Sequence, residues 1–125
     1  MILKKSRKMK KMKNKMRKFD TGATRNIEEG KIDYEGFLSP IVLEAFGKYM
    51  DFHRVQADGT VRDSDNWQKL FGEKHYDVCV KSLLRHVMDL WLFHRGFKGR
   101  ETKEAALGGI LFNAMAYWYK LLKDK

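Results

Sequence analysis

Arg85, His86 and Asp89 place a guanidinium, an imidazole and a carboxylate on one helical segment. Together these groups bind phosphate, move protons and hold metal ions. At helical steps of ~100° per residue, Val80, Leu83, Leu84, Val87, Met88, Leu90, Trp91 and Leu92 cover more than half of the circumference. The remaining stripe holds Ser82, Arg85, His86, Asp89 and Phe93. A helix apolar over so wide an arc is expected to be largely buried. Its polar stripe then faces either solvent or a lined pocket. A plain surface helix would carry Lys and Glu there. Arg85 and Asp89 also stand at i, i+4, the spacing of a simple helix-surface ion pair. Both readings are open at this point.

A later segment has a narrow strip of small residues, Ala106, Gly109, Asn113 and Ala116, ending at Lys120. Small residues at this spacing admit a second backbone or a ligand. Asn113, the segment's one amide, holds a base edge or phosphate, or else is satisfied across a tight helix contact. Glu101 and Glu104 open this segment, where acids also suit the helix dipole; they are candidate metal ligands. Thr21-Gly22-Ala23-Thr24-Arg25 combines glycine, hydroxyls and a guanidinium, the makings of a phosphate cradle. It lacks the GxxxxGK[ST] spacing of a P-loop. In Asp65-Asn66-Trp67-Gln68-Lys69 an indole sits between polar groups, either to stack on a base or to anchor the loop. His53, His75 and His94 show no mutual ligand spacing and are read as structural or surface residues. GxSxG, HExxH, EF-hand and dinucleotide-fold fingerprints are absent from the sequence.

These groups need elements to position them. Ser39-Pro40 reads as a helix start, with serine at the cap and proline in the first turn. That helix runs to about residue 52. A polar loop spans about 53–68, with Ala57-Asp58-Gly59 and Asp63-Ser64-Asp65-Asn66 as its turn signals. A second helix is predicted from about His75 to His94, closed by Gly96, and a third from about Glu101 to Leu122. Residues 19–40 read as irregular. The expected fold is mainly α, a small bundle of about three helices with ordered loops. Three helices cover little of their own apolar surface, so Trp91, Tyr117, Trp118 and Tyr119 point to a homo-oligomer.

The 125 residues suit one domain at 19–125 behind a basic extension at 1–18. Ten of the 26 Lys and Arg residues fall in that extension, and sixteen face sixteen acids in the rest. The domain proper is neutral, and the excess positive charge belongs to the extension. Met9, Met12 and Met16 fall on one helical face there. The extension is a nucleic-acid or anionic-membrane contact, a solvated tail, or sequence upstream of a start at Met12 or Met16. A single cysteine, Cys79, excludes an internal disulfide and a Cys-based zinc cluster within one chain. It is read as a small buried hydrophobe in a reducing, cytoplasmic setting. No apolar run approaches the ~20 residues of a membrane-spanning helix.

Read in order, several runs resemble the phage and prophage dATP/dGTP diphosphohydrolase N-terminal family. They are Phe19-Asp20-Thr21-Gly22-Ala23-Thr24-Arg25; Glu29-Gly30-Lys31-Ile32-Asp33-Tyr34-Glu35-Gly36-Phe37-Leu38-Ser39-Pro40; Asp65-Asn66-Trp67-Gln68-Lys69; Ser82-Leu83-Leu84-Arg85-His86 with Asp89; and Glu104-Ala105-Ala106-Leu107 leading to Leu111-Phe112-Asn113. The similarity covers about residues 19–122. It implies a helical protein that converts dGTP or dATP to the monophosphate and pyrophosphate. It further implies kinship with MazG-like all-α NTP pyrophosphohydrolases, which use Mg²⁺ held by carboxylates. On that basis Asp89 and Glu104 ligate Mg²⁺ or Mn²⁺, and His86 orients or deprotonates water. Arg25, Lys31, Lys69 and Arg85 bind phosphates, while Asn66, Trp67 and Asn113 contact the nucleotide. The chain departs from the paired ExxE and ExxD helices of those enzymes. It has His86-x-x-Asp89 and Glu101-x-x-Glu104 instead, with Asn113 deeper in the last helix. Two further readings stand beside the enzyme: a non-catalytic nucleotide binder that sequesters a host immune signal, and a nucleic-acid-binding protein acting through residues 1–18.

Overall fold

The computed structural model describes residues 15–125, which divide at Ser39/Pro40 into two compact units. Most of the basic extension lies outside the described residues. The N-terminal unit contains β1 (Met16–Lys18), β2 (Thr24–Asn26) and a single helical turn, α1 (Tyr34–Phe37). The strands pair antiparallel with Arg17 opposite Arg25. Gly22, at φ +92°, turns the chain between them, and the loop closes with a 2.9 Å bond from its amide to the Phe19 carbonyl. Thr24–Asn26, within the stretch read as irregular, thus forms a hairpin with Met16–Lys18 across the expected 18/19 boundary, and Met16, expected on a helical face, lies in a strand. Three-residue strands carry too little periodicity to announce themselves.

The C-terminal unit holds α2 (Pro40–Phe52), a 3₁₀ turn (Asn66–Lys69), α3 (His75–His94) and α4 (Lys103–Lys123). The protein is mainly helical, as the sequence predicts. α2 begins at Pro40, beside the serine, and α3 ends on Gly96 at φ +83°. The Gly96 amide bonds the Phe93 carbonyl at 3.1 Å and the Phe97 amide the Leu92 carbonyl at 2.8 Å. This is the paired closure by which a left-handed glycine satisfies the last carbonyls of a helix. α4 is capped by Thr102, whose Oγ1 accepts the Ala105 N–H at 3.1 Å. Glu101 therefore lies just ahead of the helix rather than inside it.

The predicted polar loop is ordered. Val55 bridges Val61, and Gly59 at φ +86° turns the chain between them. Asp58 Oδ1 accepts the Thr60 N–H at 3.0 Å and its hydroxyl at 2.6 Å. These bonds hold the Asp58 carboxyl below its ordinary value. They let a polar segment keep one shape without a core of its own.

α3 and α4 run antiparallel, and their contact is inverted relative to the expected amphipathic pattern. The inner seam of α3 is His75, Cys79, Ser82, His86 and Asp89, and it meets Ala106, Gly109, Asn113 and Ala116 of α4. Fully buried apolar residues among those described are Cys79, Ala106 and Ala116. His75 is buried and neutral in its bonding: Nδ1 accepts the Phe71 N–H at 3.1 Å, and Nε2–H donates to the Ala116 carbonyl at 2.9 Å. It ties the loop carrying Trp67 and the strained Leu70 (φ +70°) to α4. That backbone position costs on the order of 1–3 kcal/mol for a non-glycine residue and persists only where neighbours impose it.

The wide apolar arc of α3 is not buried within the chain. Val80, Leu84, Met88 and Trp91 lie roughly half a turn from the seam, and Leu84 and Trp91 are 56% and 53% exposed. On α4, Leu107, Leu111, Trp118 and Leu122 are similarly exposed on the side facing away from α3. Among the described residues no helix is long and apolar enough to cross a membrane.

Candidate functional site

The site is organised by Gly108 and Gly109, which let two rings approach α4. An ideal Cβ on Gly109 would fall 2.5 Å from atoms of the His86 ring, and one on Gly108 would fall 2.5 Å from the Tyr49 ring. Any side chain would push α3 or α2 away. The imidazole of His86 is thereby pressed against the α4 backbone, with 18% of its side chain exposed.

Its Nδ1 meets Glu101 Oε1 at 2.5 Å. With the carboxylate accepting, the proton resides on Nδ1, and Nε2 keeps its lone pair in the neutral ring. Nε2 has no hydrogen-bond partner among the described residues. This is the arrangement of a proton acceptor oriented by a second group.

Asp89, one turn further along α3, is buried and serves Arg100. Its Oδ1 accepts the Arg100 backbone N–H at 2.9 Å and Nε at 3.3 Å. Its Oδ2 accepts Nε at 3.1 Å and Nη2 at 2.8 Å. These bonds, opposed by loss of water and helped by the nearby Glu101 carboxyl, bring the Asp89 carboxyl down from 3.8 to about 2. Gly99 allows the close pass, since a Cβ there would stand 3.1 Å from Asp89.

His86, Glu101 and several residues of the preceding loop line a cleft of about 460 Å³ within the C-terminal unit. Ser82 and Asn113 contribute from the seam, Trp67 from the 3₁₀ turn, and His53, Arg54 and Arg62 from the end of α2 and the bridge loop. Asn113 donates to Ser82 Oγ at 3.1 Å and to the Gly109 carbonyl at 2.7 Å, which leaves its own carbonyl oxygen as an acceptor. Trp67 is anchored edge-on against Phe112 and Tyr119, at ring separations of 6.2 and 5.1 Å. Arg54 is braced by the Arg62 carbonyl at 2.7 Å and Asp51 at 3.0 Å; Arg62 is braced by the His53 carbonyl at 3.2 Å. Both guanidinium groups are thus held in place chiefly by the loop itself.

The imidazole of His53 sits 4.2 Å from the Tyr49 ring. Its pKa is below the ordinary value: partial loss of water lowers it, Glu101 opposes this, and His86 and Arg62 add to the lowering. Burial raises the Tyr49 phenol, and Glu101 raises it further.

Of the residues singled out in the sequence, Asn66, Trp67, Ser82, His86, Glu101 and Asn113 line the cleft, and Asp89 borders its histidine. Arg85 is exposed and does not line it, so the polar stripe divides between the seam and solvent. Lys69 and Glu104 are exposed and outside it. Arg25 and Lys31 are exposed residues of the N-terminal unit. Tyr49, Arg54 and Arg62 enter unforeseen, and His53, read as a structural or surface residue, lines the cleft as well. Their only sequence signal is the turn chemistry of Asp58-Gly59, which folds their loop back.

His86, Asp89 and Glu101 each offer a donor atom, all within 4.8 Å of one another. As a resident Mg²⁺ site the set does not fit. Four hydrogen bonds from Arg100 use the acceptor positions of Asp89. One carboxylate and one imidazole remain, whereas Mg²⁺ favours an oxygen octahedron. No family model, curated protein or solved structure matches the chain.

The close approach makes a sign prediction. Gly47, in α2, has open space beside it, so Gly47→Ala should raise stability by roughly 0.5–1 kcal/mol. Gly109→Ala should lower it by about 1–3 kcal/mol, read as the urea midpoint of each variant. A gain at Gly109 equal to that at Gly47 would show that His86 does not depend on the gap.

Proposed function

We propose that the cleft of the C-terminal unit hydrolyses a purine deoxynucleoside triphosphate, dGTP or dATP, to the monophosphate and pyrophosphate. The observation that carries the reading is His86, held by Glu101 through Nδ1 and lining the same cleft as two braced guanidinium groups and an indole. The resemblance of residues 19–122 to the dATP/dGTP diphosphohydrolase N-terminal family supports the substrate class.

In this reading His86 Nε2 takes the proton of a water as its oxygen bonds the α-phosphorus. The bond from that phosphorus to the bridging oxygen breaks, and pyrophosphate leaves with the electron pair. Glu101 stabilises the imidazolium that forms. Arg54 and Arg62 bind the phosphates, and Trp67 with Asn66 and Asn113 lies toward the base. Mg²⁺ or Mn²⁺ would arrive with the substrate, as the counter-ion of its phosphates. A cytoplasmic setting follows from such a substrate.

Incubation with each dNTP and Mg²⁺, followed by chromatography, should yield monophosphate and pyrophosphate from a purine nucleotide. His86→Ala and Glu101→Gln should each slow turnover by about 10²–10⁴-fold. Triphosphates recovered intact would transfer the assignment to the second reading, a non-catalytic nucleotide binder. The occupation of Asp89 by Arg100 favours that alternative. A nucleic-acid contact through residues 1–18 falls mostly outside the described residues.

We also propose that a second copy of the chain covers the outward apolar stripes. Three fully buried apolar residues among those described are a thin core for a domain of this size. Light scattering should give a multiple of 14.8 kDa, and Leu84→Glu with Trp91→Glu should return the monomer mass. A monomeric wild-type chain would remove this proposal.

A further inference from the structure

Arg100 does not line the cleft, yet its contacts decide where Glu101 stands. Its side chain is 58% exposed, while the Asp89 side chain beneath it is 2% exposed. Such a pairing usually reads as an arginine rescuing a buried charge. Here the backbone takes part as well: the Arg100 N–H donates to Asp89 Oδ1 at 2.9 Å. Main chain and side chain of one residue are therefore both fastened to the same carboxylate of α3. The side chain spans both carboxylate oxygens, Nε donating to Oδ1 at 3.3 Å and Nη2 to Oδ2 at 2.8 Å, a geometry that fixes orientation as well as distance.

Glu101 is the next residue, and it precedes the Thr102 cap of α4. No helical hydrogen bonding sets its backbone from the N-terminal side. Between the end of α3 and that cap, the chain is pinned at Arg100, and Gly99 permits the approach. Asp89 and His86 stand on the same face of α3, three residues apart. A clamp on Asp89 thus delivers Glu101 to His86 Nδ1, the contact observed at 2.5 Å.

We propose that Arg100 is a positioning residue: by clamping Asp89 it holds Glu101 on His86, so that Nε2 rather than Nδ1 is left to accept a proton. The functional part of this inference rests on His86 acting as the base. The positioning itself can be judged without turnover. A ring N–H that donates to a carboxylate and is largely withdrawn from water gives a proton resonance downfield of ordinary imidazole signals.

The test is proton NMR of the full-length chain, with steady-state kinetics beside it. The wild-type protein should show the downfield His86 resonance, and Glu101→Gln should lose it. Arg100→Ala should lose it too, while Arg100→Lys restores part of it. If alanine leaves the buried carboxylate uncovered and the domain unfolded, Arg100→Gln, which keeps an amide donor over Asp89, is read in its place. In kinetics, Arg100→Ala should lower kcat by about 10²-fold, the low end for losing proton transfer, with KM unchanged. Combining it with Glu101→Gln should lower kcat no further, because both changes undo one contact. A folded Arg100→Ala protein that keeps the resonance would overturn the proposal, as would an Arg100→Gln protein that keeps it undiminished, since one amide cannot replace a two-nitrogen clamp. So would a double variant whose losses multiply. A wild-type chain inert toward every nucleotide would defeat the hydrolase reading, and the NMR result would still decide the positioning.

Discussion

The close contact between the His86 ring and the Gly109 backbone is the constraint on which the C-terminal unit turns. Without a Cβ at that point, α3 and α4 come near enough for small and polar residues to fill the space between them. Each polar residue in the seam then needs a partner, because an unpaired buried group costs on the order of 1–3 kcal/mol. His75 finds the Ala116 carbonyl and the Phe71 amide, Asn113 finds Ser82 and the Gly109 carbonyl, and Asp89 finds Arg100. The seam is a chain of satisfied polar contacts, and His86 is the member with a nitrogen left over.

A polar interior has a consequence on the outside. Residues that would ordinarily make the core, Leu84, Met88 and Trp91 on one helix and Leu111 and Trp118 on the other, point away from the partner helix. The same sequence period that makes α3 amphipathic thus gives its polar side to an intramolecular contact and its apolar side to an outer surface. Stability and site geometry are separated: the seam sets the geometry of the site, and the outer stripes stand exposed on the chain.

Much of this was legible in the sequence where local chemistry decides. Ser39-Pro40 marks the start of α2, His75 to His94 bound α3, and Gly96 closes it, because caps and glycines act within a few residues. The stripe holding Ser82, His86 and Asp89 was visible for the same reason. Its orientation was not, since periodicity separates two faces without saying which is inside. Glu101 and Glu104 looked equivalent as the opening of one helix. Thr102 is the cap, so Glu101 falls outside the helix, where Arg100 can hold it, while Glu104 begins the exposed face. Arg54 and Arg62 reach the cleft through a turn made by Asp58, Gly59 and Thr60, a non-local outcome that no spacing encodes. The hairpin of Met16–Lys18 with Thr24–Asn26 is too short to show a period.

The central claim is that this seam aims His86 into a cleft that receives a nucleotide. The most direct measurement is a titration of the isotope-labelled full-length chain with dGTP and Mg²⁺, followed by NMR. Shifts should concentrate at His86, Glu101, Ser82 and Asn113, at the Trp67 indole, and at Arg54 and Arg62, with Lys69, Arg85 and Glu104 unmoved. Shifts confined to residues outside the cleft, or none at millimolar nucleotide, would contradict the account.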